Sequence, residues 1–239
     1  MSITPPPERP KGASPLPPPP VGEPRLRGFL RWVLRLYMRA WHDLSIEGVE
    51  NAPAHGPAIA LTNHFSYLDV PAYMCVDLYP DTVVVAKASL FKIPLIRQGL
   101  ALWNAIPVDR NGRDASGVRT MLAALKQGRV VVLAAEGTRS RTGRLQDVNP
   151  TLARICARAA VPLIPMAIDG SYEALPPGGW LPRRRKLTIR VGPSFTLSRN
   201  TPTEEAAARI RDAIAALLPP DPSEDGARPP ASQDRKEPA

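Results

Sequence analysis

Beyond Pro53 the chain alternates between short apolar runs and longer stretches of helical period. Residues 57–62 (PAIALT), 82–86 (TVVVA), 105–108 (AIPV), 129–135 (RVVVLAA), 161–168 (VPLIPMAI) and 186–192 (KLTIRVG) are short, often β-branched and bounded by turn formers, and they predict strands. Between them, 69–78, 91–102, 114–127 and 150–160 carry helical spacing, and 203–218 closes the series. Alternation of this kind predicts an α/β domain, a mixed and largely parallel sheet flanked by helices. In such sheets functional side chains collect at the carboxyl ends of strands.

An earlier segment has a different pattern. In residues 26–41 (LRGFLRWVLRLYMRAW), Arg27, Arg31, Arg35 and Arg39 recur every fourth position, while Leu26, Phe29, Leu30, Val33, Leu36, Tyr37 and Trp41 fall on the other side. This is a basic amphipathic helix of roughly 25 Å at 1.5 Å per residue. Four central arginines make spanning a bilayer costly. The expected arrangement has the helix in the membrane interface, with Trp32 and Trp41 near the headgroups and arginines against anionic lipid. The alternative packs the apolar face on the domain and leaves the arginines in water.

Composition changes the picture at the two ends. Ten of the 30 prolines lie in residues 1–24 and six in 219–239, so both ends read as disordered Pro-rich tails. The expected division is a tail at 1–24, an interfacial helix at 25–45, a catalytic domain at 46–218 and a second tail at 219–239. Net charge is +9, and the tails do not supply it: residues 1–24 are neutral and 219–239 carry −2, which leaves +11 for the middle. A basic domain expects an anionic partner. The run Arg183-Arg184-Arg185-Lys186 is read as a solvated loop. The sequence shows neither a secretory signal nor an apolar run of transmembrane length, and Cys75 and Cys156 form no CxxC, so the expected place is the cytosol.

Chemistry concentrates after two of the strands. Asn63-His64-Phe65-Ser66-Tyr67-Leu68-Asp69 follows the first. A neutral imidazole takes a proton from an attacking hydroxyl when a carboxylate fixes its tautomer. On one continuous helix, residues five apart would turn about 140° away from each other, so His64 and Asp69 meet only if His64 lies in the turn before the helix that Asp69 opens. By itself the spacing also fits an N-capping Asp69 and a structural histidine. Glu136-Gly137-Thr138-Arg139-Ser140 follows the fourth strand, with a glycine that permits close backbone approach and an arginine with hydroxyls suited to phosphate. Asp109-Arg110 ends a third strand, and Val161-Pro162-Leu163-Ile164-Pro165 offers only an apolar wall.

In this order the four blocks resemble the PlsC-like glycerolphosphate and lysophosphatidic acid acyltransferases, over roughly residues 28–200. NHxxxxD is matched by Asn63 to Asp69 and EGTRS by Glu136 to Ser140; in the second block Ile106, Asp109 and Arg110 agree, while Asn104 and Pro107 stand where the family carries a glycine and an aromatic. The resemblance implies a glycerolphosphate acyltransferase-like fold. It implies His64 as general base, Asp69 as its orienting group, and Arg110 and Arg139 as phosphate ligands. Glu136, Gly137 and Thr138 shape that pocket, and Lys87 resembles a lysine that family members use near the acceptor. The implied reaction moves an acyl group from acyl-CoA or acyl carrier protein to a lysophospholipid hydroxyl, giving phosphatidic acid from 1-acyl-sn-glycerol 3-phosphate, at the cytoplasmic face of a membrane.

Competing classes have less support. A lyso-ornithine acceptor would keep the chemistry and make the arginines less decisive. A non-catalytic module for anionic membranes has no use for an Asp-backed histidine. No nucleic-acid partner is expected, since aromatic residues are 5% and no reading motif is present. No metal is expected, because His42, His55 and His64 lack ligand spacing, and no nucleotide cofactor beyond the CoA of a substrate.

Overall fold

The computed structural model describes residues 24–76, 82–103, 105–108 and 115–220. The predicted tails, apart from their inner ends, and Arg110 lie outside the described residues. Among the described residues seven strands form one sheet: β1 (Ser45–Glu47), β2 (Ala58–Thr62), β3 (Thr82–Lys87), β4 (Ile106–Val108), β5 (Val130–Ala134), β6 (Leu163–Asp169) and β7 (Thr188–Val191), in the order β1-β7-β6-β2-β5-β3-β4. Every pairing is parallel except β6 with β7. The predicted mixed, largely parallel α/β sheet is the observed one. The helices are α1 (Pro24–His42), α2 (Asp69–Met74), α3 (Pro94–Leu102), α4 (Ala115–Lys126), α5 (Pro150–Ala159), α6 (Ser171–Ala174) and α7 (Thr203–Ala215).

All five residues of β2 are buried, as expected of a central parallel strand covered on both faces. Alternation divides its side chains between two cores. Ile59 and Leu61 join Val131 and Leu133 with Met121, Cys156, Ile210 and Ile214 from α4, α5 and α7. Ala58 and Ala60 join Ile164, Met166 and Ile168 with Met38 of α1 and Ala72 of α2. The entry into α5 follows local rules: Asn149 Oδ1 accepts from the amides of Thr151 and Leu152, and Pro150 occupies the first turn, where it gives up no helical bond.

Three elements differ from expectation. β1 is a three-residue edge strand beside β7, too short to show a period, and α6 is a single turn. The first helix packs the other way round from the alternative that buries its apolar face on the domain. Its body side carries Leu34, Met38 and His42, with Met38 and His42 buried, and Arg35 turns inward to donate from Nε and Nη2 to the Cys75 carbonyl at 2.9 and 2.6 Å. Leu26, Phe29, Trp32, Val33 and Leu36 remain exposed. At about 100° per residue these five spread over the side opposite Met38. The apolar surface faces out and the central arginines flank the body.

Candidate active site

β2 ends at Thr62, which is level with Ala134 of β5 on one side and Met166 of β6 on the other. The next residue, Asn63, is fully buried and prolongs this junction with its side chain. Its Oδ1 accepts from the Ile168 amide at 2.8 Å and the Tyr73 hydroxyl at 3.0 Å, while Nδ2 donates to the Ile168 carbonyl at 2.9 Å. The amide thus replaces a strand residue for β6 and ties in α2. Burial drives the Tyr73 hydroxyl pKa well above its ordinary value, with the charge of Asp69 adding to the shift.

His64 lies in the turn between β2 and α2, and Asp69 is the first residue of α2. Asp69 Oδ2 accepts from His64 Nδ1 at 2.8 Å and from the amides of Phe65 and Ser66 at 2.7 and 2.8 Å. The carboxyl is 1% exposed and the imidazole 14%. Because Oδ2 already accepts two backbone donors, Nδ1 supplies the third hydrogen, and the tautomer so fixed leaves a lone pair on Nε2. Asp69 serves the turn rather than capping a helix, for Leu68 holds the N-cap position. Ser66 is also committed: its buried Oγ donates to the Leu175 carbonyl at 2.7 Å and accepts from the Leu68 amide at 3.0 Å.

The turn after β5 is stitched to this one. The Ser140 amide donates to the His64 carbonyl at 2.8 Å, and the His64 amide donates to Glu136 Oε1 at 3.3 Å. Glu136 is buried, and its carboxyl is raised to about 8, chiefly by desolvation and in lesser part by the Asp69 charge, against hydrogen bonds from the backbones of His64 and Gln146. Gly137 has φ +73°, in the left-handed region, and an added Cβ would meet Asn149 Nδ2 at 3.1 Å. Arg139 stacks its guanidinium on Tyr67 and bonds its hydroxyl, so an arginine of the second turn rests on the first. Thr138 is exposed beside it. Lys87 is exposed at the end of β3, on the same sheet edge but one strand beyond β5. Thus His64, Asp69, Glu136, Gly137 and Arg139 form one cluster.

Tyr67, Tyr73 and Asn63 belong to this site through contacts that spacing did not assign. An aromatic inside the His–Asp interval was the only sign of Tyr67. An open apolar groove of about 430 Å³ runs between α1, α2 and α3, lined by Leu30, Val33, Leu34, Tyr37, Met74 and Trp103. Met74 ends the short helix that Asp69 begins. Cys75 and Cys156 are buried free thiols whose pKa values burial pushes up to about 11 and about 12, which makes them poor nucleophiles. Among the described residues, no group of three or more His, Cys, Asp or Glu is placed to hold a metal ion.

Two turns at the carboxyl edge of a mostly parallel sheet, one with an Asp-oriented histidine and one with an arginine, thus lie against each other. The acyltransferase family model matches residues 43–169, over half of the chain, and the chain belongs to that family. The chloroplastic 1-acyl-sn-glycerol-3-phosphate acyltransferase of Arabidopsis thaliana is 27% identical over 163 residues, 65% of this chain and 45% of that protein. The 1-acyl-sn-glycerol-3-phosphate acyltransferase of Cocos nucifera is 30% identical over 170 residues, 70% of this chain and 49% of that protein. The chain therefore spans about half the length of these relatives. The crystal structure of the 1-acyl-sn-glycerophosphate (LPA) acyltransferase PlsC from Thermotoga maritima has a TM-score of 0.68 at 22% identity, covering 85% of this chain and 83% of that one, and shares its fold.

Proposed function

We propose that this protein transfers a fatty acyl group from acyl-CoA or acyl carrier protein to the free hydroxyl of 1-acyl-sn-glycerol 3-phosphate, giving phosphatidic acid. The observation that carries the reading is the 2.8 Å contact of His64 Nδ1 with Asp69, which leaves Nε2 available in a turn against which Arg139 is held. His64 Nε2 takes the hydroxyl proton as the acceptor oxygen attacks the thioester carbonyl. The C–S bond then breaks, and the proton passes to the departing sulfur. Asp69 steadies the imidazolium between these events. No acyl-enzyme is required, and Ser66, its hydroxyl spent on Leu175, is not called upon.

Arg139 binds the acceptor phosphate, and Arg110 and Lys87 take the acceptor-binding roles that the family motifs give them. Gly137 and Thr138 shape this pocket and Glu136 braces the His64 backbone. The apolar groove beside Met74 suits an acyl chain. No helix among the described residues is long and apolar enough to cross a membrane. The outward face of α1 supports peripheral or monotopic attachment to an anionic membrane, from the cytoplasmic side.

The test offers purified protein a mixture of lyso-lipids, including lyso-ornithine lipid, and mixed acyl thioesters, with products identified by mass spectrometry. Phosphatidic acid should dominate and should vanish with His64→Ala at unchanged melting temperature. Equal turnover by that variant, or acylation of a phosphate-free acceptor in preference, would overturn the assignment.

A further inference from the structure

Between α6 and β7 the chain makes a loop whose tip is Gly178-Gly179-Trp180-Leu181-Pro182, followed by Arg183-Arg184-Arg185-Lys186. Trp180 is 87% exposed and Leu181 64%, and the four basic residues are all exposed. Scattered single apolar residues are normal on a surface. An outward Trp–Leu pair preceding four consecutive cations is a different object, because tryptophan combines an apolar body with a polar N–H and is enriched where membrane meets water.

The exposure is held in place by the backbone. Gly178, at φ +88°, turns the chain, the Gly179 amide donates to the Pro176 carbonyl at 2.8 Å, and the Arg183 amide donates to the Ala174 carbonyl at 2.7 Å. The loop is also rooted in the two elements that matter for the reaction. At its start, the Leu175 carbonyl accepts from Ser66 Oγ, in the turn of His64 and Asp69. At its end, the Arg185 carbonyl lies 3.3 Å from His42 Nδ1, and the Leu187 amide donates to the His42 carbonyl at 2.9 Å, at the last residue of α1.

We propose that residues 178–186 are a second membrane-contact element, with Trp180 and Leu181 entering the interfacial layer of an anionic bilayer and Arg183 to Lys186 resting on its headgroups. This rests on the reading that the protein works on a bilayer-resident acceptor, and it deepens that reading: the loop fixes His64 relative to the membrane. Charge alone suits an acidic carrier protein as well as anionic lipid. The apolar tip, and its continuity through His42 with the helix that exposes Phe29, Trp32 and Leu36, favour the bilayer.

Two full-length variants separate the parts: Trp180→Ala with Leu181→Ser, and Arg183→Gln with Arg184→Gln and Arg185→Gln. Binding is measured by co-sedimentation with vesicles of phosphatidylcholine mixed with phosphatidylglycerol, and of phosphatidylcholine alone. The apolar pair should weaken binding to mixed vesicles by about tenfold, and the arginine set should remove most of its salt dependence. Both should leave the melting temperature unchanged. Fluorescence quenching by brominated lipid, taken as the difference between wild type and Trp180→Phe, reads insertion through a mild substitution. Absence of a Trp180 contribution overturns the proposal, as does vesicle binding by both multiple variants within about twofold of a wild type that binds. A wild type that ignores both vesicle types removes the membrane reading itself. Unchanged vesicle binding with lost retention of acyl carrier protein would transfer the loop to that partner and overturn the proposal.

Discussion

The guanidinium carbon of Arg139 lies 3.6 Å from the centroid of the Tyr67 ring, and its Nη2 donates to the Tyr67 hydroxyl at 2.9 Å. Tyr67 stands between His64 and Asp69 in the chain, so the proposed phosphate ligand leans on the turn that holds the proposed base. The ring and the hydroxyl each restrict a long side chain that would otherwise lose rotamer freedom on binding. Tyr67→Phe should raise the acceptor KM by about threefold and Tyr67→Ala by about tenfold, with kcat and the thioester KM little changed. Arg139→Ala should raise the same constant further. Steady-state kinetics with each substrate varied in turn would expose an idle Tyr67 as an unchanged acceptor KM in both variants.

Asp69 Oδ2 collects the His64 Nδ1 hydrogen together with two backbone hydrogens. Asparagine with its carbonyl oxygen in the place of Oδ2 can accept the same three hydrogens, but it carries no negative charge to steady the imidazolium that forms. Asp69→Asn is expected to lower kcat by roughly 10²- to 10⁴-fold with substrate KM values near wild type. A kcat within about threefold of wild type, in protein that melts normally, would remove Asp69 from the orienting role.

Much of this site was legible because its geometry is local. The five-residue interval could join His64 to Asp69 only through a turn followed by a helix start, and that is how Thr62 leads into α2. The β2 and β5 strands read as uninterrupted apolar runs because both of their faces are covered. What stayed hidden depends on long-range neighbours. Nothing in residues 63–73 announces that the Asn63 amide would bond both the N–H and the C=O of Ile168, 105 positions away. The spacing of Arg35 marks a polar face but not that Cys75 offers it a carbonyl. β1 shows no sequence signal because three edge residues have no period, and their partners in β7 come 143 residues later.

Glu136 gives the fold a signed pH dependence. Its carboxyl, raised from 4.5 to about 8 chiefly by burial, holds a proton in the folded protein over a range where the unfolded chain has lost it. The folded state binds more protons there, so stability falls as pH rises from about 4.5 to about 8. The loss at the upper end is a few kcal/mol at most for a single group of this kind. Glu136→Gln keeps an acceptor for the His64 amide and cannot ionise. Chemical denaturation across this range should show a flatter stability profile in the variant than in wild type. Parallel profiles would mean that Glu136 ionises in the folded state without hindrance.

The two sides of α1 should separate stability from attachment. Met38 is buried in the core shared with Ile164, Met166 and Ile168, whereas Phe29 and Leu36 point away from it into solvent. Met38→Ala removes buried volume that the sheet cannot refill, and it is expected to cost about 2–5 kcal/mol in urea unfolding. Phe29→Ser with Leu36→Ser removes no core packing, only the surface stacking of Phe29 on Trp32, so its unfolding midpoint should stay near wild type while binding to anionic vesicles weakens by about tenfold. Deleting residues 1–42 would strip Met38 and His42 from the body together with the exposed stripe, so that deletion should lower stability as well as binding. Co-sedimentation and urea titration on the same three proteins check the division. A Phe29/Leu36 variant that unfolds early but still sediments with vesicles would show that the outward face packs against the protein and that the bilayer meets another surface.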